Sequence, residues 1–380
     1  MHASASRMRE WMFGYALPWW SEHGVDRQNG GYVERFRLDG THDHAPFKRA
    51  RVTGRQVYVF SHASLLGWAP GLDLAQHGVR ELIGKYWLGK DRGFARRVSQ
   101  SGEVLDATAD LYDLAFILFA FGWYYRASGD REMLLWAHRT MDVIETQLTH
   151  PGGLGFWHEA NATEPRQQNP HMHLIEACLV LCEASGDQRF ADVAQKIAVL
   201  FQSRFFDPKT ETLGEFFTDD WRRMPGTTGA MIEPGHQFEW AWILTNAKRI
   251  IGLDLSGEIR SLVRFAERFG VDASTGATRN VVSEQGLVLD AGSRTWPNTE
   301  RIKAAVALFE LDGTDPSKVI ASSVDYLFAH HLDHQPLGTW IDLYGADGRA
   351  MSDTIPSSTL YHVFLAFAEA IRIEGAATSA

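Results

Sequence analysis

Apolar helical stretches of similar length recur along the whole chain. Each has apolar residues around most of its helical circumference, the pattern of a helix that is buried on all sides. These stretches lie at 55–68, 111–127, 172–184, 237–247, 300–311 and 361–373. The segments that follow them are amphipathic at helical spacing, as at 131–148 and 188–205, which is typical of an outer layer. The chain therefore predicts buried and outer helices in alternation.

A glycine-led, strand-like stretch precedes each buried helix, and several of these stretches run on into a second small turn, as at 101–106 and 284–290. The marker glycines recur about every 60 residues, at Gly31, Gly93, Gly153, Gly214, Gly276 and Gly338. Six such repeats predict an all-α fold, an (α/α)6 barrel with short β-hairpins in the connecting loops, as a single domain over 1–380. An open helical solenoid is the alternative, but six repeats without a polar capping repeat favour closure.

Unusual polar residues cluster where the buried helices begin. Prolines mark four of these starts, as expected in a first helical turn: Pro170, Pro234, Pro297 and Pro356. The polar residues are Arg55; Asp110, Tyr112 and Asp113; Asn169, His171 and His173; His236 and Glu239; Trp296, Asn298 and Glu300; Ser357, Ser358 and His362. In a barrel, the starts of all six inner helices open at one end. We therefore expect these side chains to converge on one cavity.

His236 and Glu239 follow a Pro-Gly turn and lie one helical turn apart, so they share a helix face. An imidazole in the first turn feels the positive end of the helix dipole, which disfavours its protonated form. This position predicts a neutral base near pH 7. The alternative is a His-Glu pair that only ties down a turn.

Composition narrows the classes of function. The 380 residues are 45% hydrophobic with a formal net charge of -10, which argues against nucleic-acid binding and fits a globular enzyme. The two cysteines, Cys178 and Cys182, lie four apart in an apolar helix and offer no disulfide framework, and no segment has some 18 uninterrupted apolar residues. These features predict a cytoplasmic protein without a membrane span. The oligomeric state stays open, a homo-oligomer included.

Several chemistries fit the polar set. His236 and Glu239 match a metal-binding pair only if further ligands converge, and a glycosidase needs two carboxylates flanking a bond, whereas histidines dominate here. A sugar-binding module would keep the aromatic residues and Arg55 but has no need of two opposed histidines. Histidines with one arginine suit proton transfer beside a carbonyl, because a base and a cation for the enediolate oxygen suffice. No dinucleotide or phosphate-loop motif is present, so we expect no cofactor and no metal.

The motifs together resemble the N-acylglucosamine 2-epimerase superfamily, and the similarity runs from about Gly30 to Ala370. It is carried by Arg55 in Thr-Gly-Arg-Gln-Val-Tyr, Tyr112 in Tyr-Asp-Leu-Ala-Phe, Asn169 and His173 in Asn-Pro-His-Met-His-Leu-Ile-Glu-Ala, His236 and Glu239 in Glu-Pro-Gly-His-Gln-Phe-Glu-Trp, Trp296 and Glu300 in Trp-Pro-Asn-Thr-Glu, and His362 in Tyr-His. The resemblance implies an (α/α)6 barrel and a sugar epimerase or isomerase.

Carried over residue by residue, the resemblance implies a role for each group. His236 and His362 are the acid/base pair, and His173 assists opening of the sugar ring. Arg55 holds the reacting oxygens, and Glu239 orients His236. Tyr112, Asn169, Trp296 and Glu300 complete the substrate site.

The choice of substrate rests on the approach to His362. The run Thr354-Ile355-Pro356-Ser357-Ser358-Thr359 is a small, neutral lining, which favours an unmodified monosaccharide. We expect a D-mannose and D-fructose isomerase that acts through a cis-enediolate. The alternatives are a 2-epimerase of mannose/glucose, N-acylglucosamine or cellobiose, or an isomerase of a phosphorylated or sulfonated hexose, for which Lys48, Arg49 and Arg51 could serve the anion.

Overall fold

The computed structural model describes residues 1–377 and contains the six predicted buried helices. These inner helices span Ala50–Leu65, Leu111–Ser128, Asn169–Ser185, Pro234–Ile251, Thr295–Asp312 and Leu360–Ala377. The first, fourth and fifth begin three to five residues before the apolar pattern does. The reason is that the first turn of each carries polar or small residues, which interrupt the apolar pattern without interrupting the helix.

Outer helices alternate with the inner ones. The chain starts with an outer helix, built from His2–Arg9, the π-helical stretch Glu10–Ala16 and Leu17–His23. The other outer helices are Gly71–Glu81, Glu132–Gln147, Gln188–Leu200, Ser256–Phe265 and Ser317–Tyr326, and π-helical turns extend four of them, at Leu82–Tyr86, Phe201–Phe205, Ala266–Gly270 and Leu327–Leu332. The predicted outer helices 131–148 and 188–205 are therefore confirmed.

The inner helices form a closed ring. Each packs against the next along the chain, and the sixth packs against the first. Gly54 allows the first two to come close, because a Cβ at this position would lie 2.5 Å from the carbonyl oxygen of Phe116. One hydrophobic cluster extends from Ala5 to Ile373 and fills the space between the inner and outer layers. The fold is the predicted (α/α)6 barrel, and the open solenoid is excluded.

A ring of short antiparallel pairings joins each repeat to the next at the end where the inner helices begin. The pairings are Phe47–Arg49 with Arg97–Ser99, Asp110 with Glu159, Arg166–Gln167 with Phe216–Phe217, Met231–Ile232 with Val281–Ser283, Ser293–Arg294 with Leu343–Tyr344, and Thr354–Pro356 with Arg35–Arg37. The last of these links the sixth repeat back to the first. The ring fixes the six helix starts around one opening.

The remaining strands match the predicted hairpins. Val104–Asp106 pairs with Arg97–Ser99, and Val288–Asp290 pairs with Val281–Ser283, as the turns at 101–106 and 284–290 predict. Phe206–Asp207 pairs with Thr212–Leu213. Two short helices, Gly226–Ala230 and the 3-10 turn Ser357–Thr359, precede the fourth and sixth inner helices.

Both cysteines are free thiols on the third inner helix, Cys178 buried and Cys182 partly so. Among the described residues, no helix combines the length and the apolar character that crossing a membrane requires.

Candidate active site

A cavity of about 410 Å³ opens at the end of the barrel where the inner helices begin. Eight of the nine predicted site residues line it: Arg55, Tyr112, Asn169, His173, His236, Glu239, Trp296 and His362. The ninth, Glu300, is fully buried directly behind His362. The convergence predicted from the helix starts is confirmed for these side chains.

Other polar residues at the helix starts build the structure instead. Asp110 caps the second inner helix through the Asp113 amide, and Asp113 pairs with Arg51 at 2.6 Å. His171 accepts a hydrogen bond from the Phe156 amide at 2.9 Å, and the Asn298 side chain accepts one from the Thr278 amide at 2.8 Å. The hydroxyl of Ser357 donates to the carbonyl of Val33. For these five (Asp110, Asp113, His171, Asn298 and Ser357), the prediction that they line the cavity is wrong, because backbone groups and ion pairs take up their polar atoms.

The three cavity histidines share one arrangement, in which Nδ1 faces a buried glutamate. His173 Nδ1 lies 3.1 Å from Glu176, one turn along the same helix. His236 Nδ1 lies 2.9 Å from Glu215, and His362 Nδ1 lies 2.8 Å from Glu300. A carboxylate at Nδ1 fixes a proton there, which leaves Nε2 of each ring for the cavity.

Glu239 does not orient His236, so that prediction is wrong. Spacing of three residues places the two on one helix face, but the carboxylate of Glu239 turns towards Lys303, 3.6 Å away. Glu215, which sequence reasoning missed as a site residue, takes the orienting position. Its own carboxylate accepts hydrogen bonds from the Gln168 side chain and the Glu233 amide, so it is firmly held.

The protonation state of His236 also differs from the prediction. Burial alone would lower the pKa of His236, but Glu215, Glu233 and Glu239 together raise it to about 10. Three carboxylates outweigh the dipole of the helix start, which contributes far less than a close full charge. His236 is therefore an imidazolium at neutral pH and not the neutral base predicted.

His362 and His173 have the opposite character. Burial lowers the pKa of His362 well below its ordinary value, and Arg55 and Lys303 lower it further. Burial likewise lowers the pKa of His173 to about 3. Both rings are neutral near pH 7, so the cavity holds one cationic and two neutral imidazoles.

Arg55 supplies a second positive charge. Its Nη2 donates to the hydroxyl of Tyr112 at 2.6 Å, and its guanidinium lies 4.2 Å from the centre of the Phe116 ring. Within the part of the chain that the structure describes, Arg55 Nε has no hydrogen-bond partner, and neither has Asn169 Oδ1. A donor and an acceptor are thus left for substrate oxygens and hydroxyls.

Trp296 lies between the acid/base histidines. Its indole is 5.0 Å from the imidazole of His236 and 5.7 Å from that of His362, measured between ring centroids. Gly235 makes this approach possible, because a Cβ there would come within 2.4 Å of the indole. The two imidazoles therefore flank one flat apolar surface in a single cavity.

The rim of the cavity combines small neutral residues with two arginines. Ser358 and Thr359 line it as predicted, and Arg49 and Arg294 lie beside them. Of the basic cluster 48–51, Lys48 is committed to Asp26 at 2.7 Å and Arg51 to Asp113. Arg49 pairs with Glu34, whereas no ion pair of Arg294 is found among the described residues.

Three sets of side chains in residues 1–377 are close enough to share a metal ion: His173, Glu176 and Glu239; Glu215, Glu233 and His236; and Glu239, Glu300 and His362. Each set contains one of the cavity histidines. In the third, the ammonium of Lys303 lies 2.6 Å from Glu300 and supplies a cation already. The metal-free site stays a prediction.

Proton transfer is the chemistry that oppositely charged imidazoles and a guanidinium support, so fold and cavity define an acid/base enzyme built on a helical barrel. A family model described as N-acylglucosamine 2-epimerase matches residues 31–366. Mannose-6-phosphate isomerase of Rhizobium meliloti is 33% identical to this chain, covering 97% of each. D-mannose isomerase of Thermobifida fusca is 28% identical, covering 70% of this chain and 69% of its own.

Solved structures share the fold. Cellobiose 2-epimerase from Bacillus thermoamylovorans superposes with a TM-score of 0.89 at 22% identity, covering 98% of this chain and 100% of that one. The chain belongs to the N-acylglucosamine 2-epimerase family and is a sugar isomerase or epimerase.

Proposed function

We propose that the protein interconverts D-mannose and D-fructose without a cofactor, as a single barrel domain in the cytoplasm. The observation that carries the proposal is the opposite charge of two histidines on one cavity: His362 is neutral and His236 is cationic. An aldose and its ketose differ by one proton at C1 or C2 and one at O1 or O2. A neutral base and a cationic acid are what moving these protons requires.

Ring opening comes first. His173 is neutral and its Nδ1 is held by Glu176, so Nε2 can accept the anomeric hydroxyl proton while the ring C1–O5 bond breaks. The O5 alkoxide is protonated in the same step, and this gives the open-chain aldehyde. Tyr112 packs edge-on against the His173 ring at 4.9 Å and keeps it in place.

The proton at C2 is then removed by His362 through Nε2. The C2–H electron pair forms the C1=C2 bond, and the aldehyde oxygen O1 becomes an enediolate oxygen that Arg55 and His236 stabilise. His236 donates its Nε2 proton to O1 and takes the proton of O2. His362 returns its proton to C1 as the C2 carbonyl forms, which completes fructose.

Epimerisation would need a proton delivered to C2 from the opposite face. The small residues Ser358 and Thr359 at the rim favour an unmodified hexose over a disaccharide. The experiment is a substrate panel followed by proton NMR: mannose, glucose, fructose, cellobiose, N-acetylmannosamine, mannose 6-phosphate and a sulfonated hexose. We expect the highest kcat/KM for mannose with fructose as the first product. Glucose appearing first would contradict isomerisation.

Arg49 and Arg294 at the rim favour a second candidate, an isomerase of mannose 6-phosphate, because an arginine without an ion pair can bind a phosphate group. The name of the Rhizobium relative agrees with it. Burial raises the pKa of Asp342, which also lines the cavity and is then less repulsive to an anion. The same panel decides, because this candidate requires a higher kcat/KM for mannose 6-phosphate than for mannose.

The pH profile tests the charge on His236. Because His236 acts as an acid, activity is present below its pKa of about 10 and is lost as the pH rises through that value. Glu215→Gln removes the carboxylate that raises this pKa most. The alkaline limb of kcat/KM is expected to move down by roughly 1 to 3 pH units. Glu300→Gln is the matched control, which leaves the alkaline limb in place. An alkaline limb unmoved in Glu215→Gln would contradict the assignment.

A further inference from the structure

Lys303 is buried without any exposed surface on the fifth inner helix, beneath the cavity. Its ammonium lies 2.6 Å from Glu300 Oε2 and 3.6 Å from Glu239 Oε1, and 4.5 Å from the centre of the Trp242 ring. A lysine in such a place is costly unless it is paired, and an apolar residue would fill the space more cheaply. The position of Lys303 therefore calls for an explanation beyond packing.

Glu300 connects this ammonium to the active site. One oxygen of its carboxylate faces Lys303, and the other accepts the hydrogen bond from Nδ1 of His362 at 2.8 Å. Ammonium, carboxylate and imidazole thus form one chain that ends at the cavity. Lys303 itself does not line the cavity.

Carboxyl groups crowd this part of the interior. Burial and the neighbouring Glu239 raise the pKa of Glu300 well above its usual value, and Lys303 is the group that opposes the rise. Burial would lower the pKa of Lys303, but Glu300, Glu239 and Glu176 raise it above its ordinary value, so the amine stays charged. Without this cation, Glu300 would hold a proton.

An ionised Glu300 matters for His362 in two ways. It keeps the proton of the neutral ring on Nδ1, so Nε2 is free to accept the C2 proton, and it stabilises the imidazolium that forms when it does. The glutamate behind His236 has no such partner. No lysine or arginine forms an ion pair with Glu215 in the described part of the chain. The two acid/base histidines are therefore supported differently.

We propose that Lys303 is a positioning residue that keeps Glu300 ionised and thereby makes His362 the base of the reaction. The proposal rests on the proposed function, since it assigns His362 to proton removal. It also gives the charge between Glu239, Glu300 and His362 a resident source in the chain itself.

Lys303→Met, which keeps the length and removes the charge, tests the proposal with D-mannose as the probe. We expect kcat to fall roughly 10- to 100-fold while KM changes less than about threefold, because no sugar contact is lost. Glu300→Gln should show the same split. The double variant should lose no more than the more impaired single variant, because both residues act through one path. Losses that multiply, or a rise in KM instead of a fall in kcat, would overturn the proposal.

A matched control separates this role from the cost of losing a buried ion pair. Lys48 is 1% exposed and pairs with Asp26 away from the histidines, so Lys48→Met should lower Tm and leave kcat within about threefold of wild type. If Lys303→Met does not fold, the comparison of Glu300→Gln with Lys303→Met/Glu300→Gln decides. Equal kcat supports the proposal, and a further tenfold loss overturns it.

The proposed function and this proposal fail in different ways. Exchange of the C2 hydrogen of D-mannose with heavy water reports proton removal whatever the product. Wild type without exchange means that the proposed function is wrong. Wild type with exchange, and Lys303→Met exchanging equally fast, means that the role of Lys303 is wrong.

Discussion

Replacing His362 by alanine is expected to lower kcat for D-mannose by roughly 10²- to 10⁴-fold, the usual contribution of a positioned general base, with little change in KM. His236→Ala should have a loss of the same size, because the enediolate then lacks its proton donor. These changes remove proton transfer and leave Arg55 and Asn169 to bind the sugar. Steady-state kinetics with D-mannose measures both parameters.

His62→Ala is the control for the loss of a partly buried, stacked histidine. His62 lies in the last turn of the first inner helix, where it stacks on Trp123 at 4.4 Å and lines a different cavity. It should reduce Tm and keep kcat. If His362→Ala kept kcat within tenfold of wild type, another group would be the base.

Arg55→Met is expected to lower kcat/KM by roughly 10²- to 10³-fold, the size of losing one donor to a developing oxyanion. The change keeps much of the side-chain volume over Phe116 and removes the only guanidinium that contacts both Tyr112 and the sixth repeat. That statement covers residues 1–377. The same kinetic assay measures the loss.

Arg51→Met gives a matched comparison, since Arg51 also lies over the Tyr112 ring, at 4.7 Å, but is paired with Asp113 and does not line the cavity. Its effect should be on stability, seen as a lower Tm, with kcat/KM within about tenfold of wild type. Equal losses in the two variants would mean that the aromatic packing around Tyr112, and not the charge of Arg55, supports catalysis.

The sequence predicted the barrel because its evidence is local and repeated. Proline and polar residues at the helix starts, such as Pro234 and His236, identify both the end of each helix and the end of the barrel that carries the site. Closure then brings His173, His236 and His362 together without further information. The beginning of each inner helix was less predictable, because the residues that make the site are the ones that break the apolar pattern.

The electrostatics of the site depend on contacts between repeats, which spacing does not encode. Glu215 lies 21 residues before His236, in a stretch that predicts only a turn, and its hydrogen bond to the imidazole arises from the pairing of Arg166–Gln167 with Phe216–Phe217. Glu239 has the right spacing from His236 but a stronger attraction to Lys303. Lys303 itself carried a usable signal: a lysine in a helix predicted to be buried on all sides needs a partner.

Hydrogen labelling tests the central claim most directly. D-Mannose incubated with the wild-type enzyme in heavy water should yield fructose that carries deuterium at C1, because the proton removed from C2 rests on His362 and exchanges with solvent before its return. Proton NMR of the C1 methylene group measures the label. Fructose formed without any deuterium at C1 would mean direct hydrogen transfer between C2 and C1, and would contradict proton transfer by the two histidines.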